Sequence, residues 1–326
     1  MRPIERVNLV FKELQALNAS SQLLNWDQQV LMPSGGAVAR AEHLGRLRKL
    51  EHQLLTSDKL SNAVTEALAE ADEFEESQLL VLKKDIDRAQ KLPEELVTRK
   101  GRAGADAYHQ WRISKPQSDL KSMVPHLTAM FDIARETSEA LGYTDHPYDP
   151  LIDMYEEGSS HAEAKRVLEA VRGPSKKLIS AIAELGEPID DRFLVRDWDQ
   201  ERLKTAMVRV ISQIGFDFDS GRLDIANNAF CTSPAIADIR MTTRPSEHIR
   251  GVLSSSLHEM GHALYEQFQR KDWEQTPLRG GVSLAIHESQ SRTWENVIGR
   301  GRPFWDFFFP WFREQFRFLG DVTTEQ

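Results

Sequence analysis

A mainly α-helical fold wrapped around a cleft, with one small antiparallel β-sheet, is what this sequence predicts. Three observations lead there. Apolar residues recur at helical spacing almost throughout, and Ala, Leu, Glu, Arg and Gln dominate residues 4 to 140. Gly and Pro are few there and gather into punctuation. Only Arg222 to Phe230 and Ile236 to Arg244 alternate with an imperfect period of two, which suits a pair of short strands.

The breaks set the order of elements. They fall at Met32-Pro33-Ser34-Gly35-Gly36, Leu92-Pro93, Lys115-Pro116, Gly142 to Pro150, Gly186-Glu187-Pro188 and Gly215 to Pro234. Helices are expected between them. After the strand pair, Ser246 follows Pro245 and is placed to cap a helix in which Leu253, Leu257, Met260, Leu264 and Phe268 form the buried stripe. Arg270 to Gly281 reads as a loop, and Val282 to Trp294 as a second helix folded back on the first. Phe304, Trp305, Phe307, Phe308, Phe309, Trp311, Phe312, Phe316 and Phe318 then crowd a short segment. That much apolar surface calls for cover, from the N-terminal helices or from a partner chain, or else it stays exposed as a liability of a shortened protein.

Composition narrows the function classes. The 326 residues are 40% hydrophobic and 28% charged, carry a formal net charge of -9 and include one cysteine, Cys231. The acidic balance disfavours nucleic acid, because phosphate backbones are held by clustered Lys and Arg. A lone cysteine makes no intrachain disulfide and is compatible with a reducing compartment. Residues 1 to 6 lead into no apolar signal region, and charges and Pro310 break the aromatic segment short of the roughly 20 residues a span needs. The expectation is a cytoplasmic protein without membrane partners.

The strongest chemical signal is His258-Glu259-Met260-Gly261-His262. Residues four apart share a helix face, so both imidazoles can hold one divalent metal while Glu259 stands beside it to activate water. The same spacing also suits two surface histidines on an amphipathic helix. A hydrolytic zinc usually takes three protein ligands, so a third must come from elsewhere. A metzincin would carry histidine where Phe268 stands and glycine where Tyr265 stands, which leaves a carboxylate from a following helix. Glu288 is the candidate, inside a polar run from His287 to Arg292 whose burial would be costly without partners. An exposed helix face with a Glu288 to Arg292 pair is the alternative.

These residues, taken with several ordered motifs, make the chain resemble the carboxypeptidase Taq family of metallocarboxypeptidases almost from end to end. Leu24-Asn25-Trp26-Asp27-Gln28 with Met32-Pro33 and Arg40-Ala41 is similar to the family's opening. Tyr148-Asp149 with Asp153-Met154-Tyr155-Glu156, Gly215-Phe216-Asp217 with Gly221-Arg222-Leu223-Asp224, Asp238 to Arg244, and His287-Glu288-Ser289-Gln290 continue the match. The resemblance implies a zincin-like fold, with His258, His262 and Glu288 as metal ligands and Glu259 as the group that activates water. It implies one zinc ion per chain, with cobalt as a substitute because such ligands discriminate weakly among late divalent metals. Peptide or unfolded-protein C-termini would be the substrates, and a homodimer is among the assemblies it implies.

Further expectations follow for the surroundings. His287 and Gln290 are expected to support the ligands from behind. Arg240 and Arg244 are candidates to grip a substrate carboxylate, although an ordinary Asp238 to Arg240 pair fits equally well. Trp26, Asp27 and Gln28 read as structural. Residues 1 to 326 are read as a single peptidase domain, with 1 to 190 as an N-terminal helical wall and 191 to 326 as the metal-binding half. Two departures from the family stand out: Asn228-Ala229-Phe230 replaces its His-Pro-Phe, and its later G-x-x-Q-D-x-H-W segment does not occur. The family's C-terminal, cleft-closing part is therefore expected to be missing. Beside the carboxypeptidase, two outcomes remain: a catalytically impaired relative acting as a metal-binding interaction protein, and an endopeptidase with an opened cleft.

Overall fold

The structure is a computed structural model that describes residues 1 to 186 and 190 to 325. Glu187 and Pro188, part of one expected break, lie outside the described residues. Helices α1 (Pro3–Val30), α2 (Ala37–Leu55), α3 (Asp58–Leu68), α4 (Glu73–Lys91), α5 (Glu94–Gln117), α6 (Leu120–Leu141), α7 (Asp149–Asp153), α8 (His161–Glu184) and α9 (Gln200–Ile214) come first. Strands β1 (Gly221–Ile225), β2 (Cys231–Ala235) and β3 (Asp238–Thr243) follow, then α10 (Ile249–Gln267), α11 (Leu284–Arg292) and α12 (Arg302–Gln315). The predicted mainly helical class is what the structure has, and none of its described helices is long and apolar enough to cross a membrane.

Helix ends follow local chemistry. The side chains of Asp119, Ser160 and Asp199 accept hydrogen bonds from the backbone N–H groups of Ser122, Glu163 and Arg202, satisfying donors that a helix start leaves free. Gly215 closes α9 at φ +119°, in the left-handed region open to glycine.

The described residues divide into two compact units. One comprises Leu55–Ser61 and Leu80–Pro188; the other comprises Met1–Leu54, Asn62–Leu79 and Ile189–Gln326. In the former, Asp149 accepts from the backbone N–H groups of His146 at 3.0 Å and His161 at 2.7 Å, and the two imidazoles stack 3.9 Å apart. Asp153 accepts from Arg88 at 2.5 Å and from the Gly158 N–H at 2.9 Å. The carboxylates of the Tyr148 to Glu156 motif thus tie turns together.

The other unit carries the sheet and the helices after it. The sheet is mixed, not purely antiparallel: its order is β1-β3-β2, with β1 parallel to β3 and β2 antiparallel to β3. The expected pairing of the two alternating stretches therefore has the opposite sense. A third strand explains it, because β2 lies between the two alternating stretches, largely within the break read from Gly215 to Pro234, and its hairpin to β3 reverses the chain once more. Pro234 is tolerated there because β2 is an edge strand and the ladder register shifts between Thr232 and Ala235.

The core of this unit gathers Leu203, Met207 and Ile211 of α9, Ile239 and Met241 of β3, and Val252, Leu257 and Met260 of α10. Phe304, Phe308, Phe312 and Phe316 close the same cluster, with Trp198 edge-on to Phe316 at 5.3 Å. Phe304, Phe308, Phe312 and Phe316 of the aromatic segment are thus covered by α9, α10 and Trp198, while Phe307 and Phe318 stay 66% and 46% exposed. Phe268, expected in the buried stripe, is 73% exposed because α10 ends there. His248, not Ser246, caps α10: its Nδ1 accepts from the Arg250 N–H at 3.1 Å, while Ser246 Oγ accepts from the His248 N–H at 3.2 Å.

Candidate metal centre

Two helices and the turn after them build the centre. His258, Glu259 and His262 lie on α10, and Glu288 lies on α11, which Ser283 starts by accepting from the Ile286 N–H. The intervening loop is pinned to β2: Arg279 donates to the carbonyls of Ser233 and Pro234, and Gly280 N–H donates to Gln269 at 2.9 Å. Gly261 lets the helices touch backbone to backbone. A Cβ there would lie 2.5 Å from Ser291 Cα and 2.7 Å from the Gln290 carbonyl oxygen, closer than atoms can approach.

That contact brings three ligand atoms together. Glu288 Oε2 stands 3.7 Å from His258 Nε2 and 3.5 Å from His262 Nε2, and the three groups offer atoms within 4.8 Å of one another. Four-coordinate zinc with bonds of about 2.0 to 2.2 Å needs ligand atoms roughly 3.3 to 3.6 Å apart. Two imidazole nitrogens and one carboxylate oxygen are donors such an ion takes; the Glu288 to His262 separation lies inside that range and the Glu288 to His258 separation just above it. Arg292 Nε donates to Glu288 Oε1 at 2.8 Å, so one carboxylate oxygen is engaged and Oε2 faces the histidines. The expected Glu288 to Arg292 pair thus coexists with the convergence on the histidines.

Burial shapes the charges. Glu259 is 6% exposed; burial, followed by the negative charges of Glu288 and Glu295, pushes its carboxyl up to about 8. Burial, then the neighbouring imidazoles of His287 and His258, pushes His262 down to about 4, which keeps its nitrogen unprotonated at neutral pH. Glu259 and His258 line an open cleft of about 670 Å³ with Arg244, Asn228 and Arg292.

The supporting residues are placed as follows. His287 stacks on His262 with ring centres 4.4 Å apart, and its Nε2 meets Glu266 Oε1 at 3.0 Å. Glu266 also accepts from Ser233 Oγ at 3.1 Å and Gln269 at 3.2 Å. Gln290 donates its amide to Ser289 Oγ at 3.3 Å and meets α10 through its backbone carbonyl. Sequence reasoning missed Glu295, whose Oε2 lies 3.0 Å from His258 Nδ1, and also Glu266. A signal existed for both. Glu295 follows Glu288 by two helical turns and Glu266 follows His262 by one, so each shares a face with a candidate ligand.

The two candidate arginines part company. Arg240 donates twice to Asp238, at 2.8 and 3.0 Å, and stacks over Trp26 at 4.4 Å. Its neighbour in register, Arg222, does the same with Asp224 and the same indole, at 4.8 Å. Arg240 is therefore held in a sandwich with Trp26, in keeping with the alternative of an ordinary Asp238 pair, and is not among the residues that line this cleft. Trp26 is 4% exposed inside that sandwich and Asp27 pairs with Arg40 at 2.5 Å, in keeping with structural roles. Arg244 is exposed, lines the cleft beside Glu259 and has no side-chain partner among the described residues. Asn228 lines it too, held by Thr242: that hydroxyl donates to the Asn228 carbonyl at 3.0 Å and accepts from the Phe230 N–H at 2.9 Å.

The chain as a whole is similar to known proteins. The sequence profile of the carboxypeptidase Taq (M32) metallopeptidase family matches residues 6–326. Thermostable carboxypeptidase 1 of Pyrococcus furiosus is 32% identical over 327 residues, covering 99% of this chain and 66% of its own length. The protein of the same name from Thermus thermophilus is 32% identical over 329 residues, covering 96% of this chain and 64% of its own length. The crystal structure of an M32 carboxypeptidase from Deinococcus radiodurans superposes with a TM-score of 0.92 at 33% identity, covering 100% of this chain and 66% of that one. The chain thus spans just under two thirds of the relatives it matches. On the strength of that profile match and of relatives this similar, the chain belongs to the carboxypeptidase Taq (M32) metallopeptidase family.

Proposed function

We propose that this protein is a zinc-dependent carboxypeptidase that removes residues from the free C-termini of peptides or unfolded chains. The observation that carries the reading is the convergence of His258 and His262 Nε2 with Glu288 Oε2, beside the buried carboxyl of Glu259. Zinc held by these three side chains would supply Lewis acidity for the scissile carbonyl and lower the pKa of water to about 7. Cobalt suits the same donors. Glu259 is the group proposed to take the proton of the attacking water and return it to the leaving amine; a cation held by the neighbouring ligands would favour its ionised form. Arg244 is the group proposed to pair with the substrate's terminal carboxylate, since its guanidinium is free and faces the cleft. The acidic, single-cysteine composition fits a cytoplasmic location.

Glu259→Gln tests the proton role. The expected outcome is unchanged zinc content with hydrolysis slowed by a factor of roughly 10² to 10⁴; wild-type rates in the variant would refute it. Peptides with free and amidated C-termini, assayed side by side, separate a carboxypeptidase from an endopeptidase. Asn228 favours a second reading, a metal-binding relative without turnover, because an amide cannot carry the charge of the family's histidine. Tight zinc retention with no cleavage of any free-carboxylate peptide would establish it.

A further inference from the structure

We infer that Glu295 and Arg292 form a positioning clamp behind the metal ligands, with Glu295 fixing the imidazole of His258 and Arg292 tying Glu295 to Glu288. The inference rests on the proposed metal role of His258 and Glu288 and adds two residues to it.

Glu295 Oε2 lies 3.0 Å from His258 Nδ1. An ionised carboxylate can only accept, so this contact places the imidazole hydrogen on Nδ1 and leaves the Nε2 lone pair facing Glu288 and the cleft. Carboxylates placed this way orient a ligating imidazole and raise its basicity. The Glu295 side chain is only 11% exposed, which limits competition from water for this contact. Ser254, one turn before His258 on α10, donates to Oε1 of the same carboxylate. Arg300 adds a second cationic partner at 3.6 Å.

Arg292 couples this carboxylate to the third ligand. Its Nε donates to Glu288 Oε1 at 2.8 Å and its Nη1 to Glu295 Oε2 at 3.2 Å. One guanidinium therefore sets both carboxylates and keeps Oε1 of Glu288 turned away from the histidines. The backbone is built for the purpose. Thr293–Ile298 winds as a π-helical turn, an uncommon and wider form that occurs mostly at functional sites, and Glu295 lies within it. His262 is held differently, by the stacked ring of His287, so the effect of Glu295 is specific to His258.

Zinc affinity, measured by competition with a chromophoric chelator, tests the clamp on the full chain. Glu295→Ala is expected to weaken zinc binding about 10- to 100-fold. Glu295→Gln, which keeps an acceptor and the side-chain volume, should fall between it and the parent. The visible d–d spectrum of the cobalt-loaded protein should shift in Glu295→Ala, a change that loss of stability alone would not produce. If the alanine variant misfolds, nitrogen-15 histidine spectra of the metal-free parent give an independent test: His258 should carry its hydrogen on Nδ1, and an Nε2–H tautomer would overturn the proposal. Zinc affinity within twofold of the parent in a folded Glu295→Ala, with an unchanged cobalt spectrum, would also overturn it. A parent chain that binds no zinc would instead defeat the metal reading, while the tautomer measurement would still judge the clamp.

Discussion

Gly261→Ala puts the geometry of the centre under its hardest test. A Cβ at this position would sit 2.5 Å from Ser291 Cα and 2.7 Å from the Gln290 carbonyl oxygen. Carbon atoms rest about 3.5 to 4.0 Å apart, so α11 would have to withdraw from α10 by about 1 Å. Ser291 lies less than one turn after Glu288, and its hydroxyl donates to the Glu288 carbonyl at 2.7 Å, so the displacement reaches the ligand almost undiminished. Glu288 Oε2 now stands 3.5 Å from His262 Nε2 and 3.7 Å from His258 Nε2, whereas metal bonds tolerate errors of only about 0.2 Å. Two histidines would remain with a carboxylate out of reach. We expect zinc affinity to fall by more than about 100-fold, equivalent to roughly 3 kcal/mol, and overpacking to cost about 1 to 3 kcal/mol of stability. Calorimetric zinc titration beside thermal unfolding of the metal-free protein measures both. Zinc affinity within twofold of the parent would show that the helix contact does not set the ligand geometry.

Three other outcomes can be checked. Arg244→Gln should raise KM for free-carboxylate peptides by about 10- to 100-fold, the loss expected for a hydrogen bond to a charged group, with little change in kcat; equal KM values would remove Arg244 from substrate binding. Stability of the metal-free protein should depend on pH in two windows. Glu259 has its folded value raised from 4.5 to about 8, so its contribution is lost as pH rises between those values, and Glu259→Gln should flatten that decline in the thermal midpoint. His262 has its folded value lowered from 6.5 to about 4, so its contribution is lost as pH falls from 6.5 toward 4; a flat midpoint across that range would contradict it. Phe312→Ala, at a site 1% exposed, should cost about 3 to 5 kcal/mol in chemical unfolding, and a loss under 1 kcal/mol would mean the aromatic segment is not core.

Much of this was legible in residue order. His258 and His262 share a face because four residues make just over one helical turn, and no tertiary information is needed to see it. The polar run around Glu288 announced itself because burial without partners is costly. Helical class followed from periodicity over long stretches, where each repeat reinforces the last. Other features depend on neighbours distant in sequence. Phe268 continues the apolar spacing, but α10 ends before the core reaches it. Arg240 and Arg244 look alike as residues of one strand end. Only the presence of Trp26 beside Arg240, more than 200 positions away in sequence, separates a sandwiched cation from a free one.

By itself, the sequence determined the helical class, the two histidines with Glu259 between them, and a carboxylate on the next helix, since all of these are local periodicities. Tertiary structure decided the rest. Whether Glu288 reaches the histidines depends on the missing Cβ of Gly261 meeting the backbone of Ser291, a contact between residues 30 positions apart. The sense of β1, the cover over Phe312 and the approach of Glu295 to His258 are likewise settled by packing. Local patterns fix which way a side chain leaves its own helix; what it meets there is fixed by the segments that fold against that face.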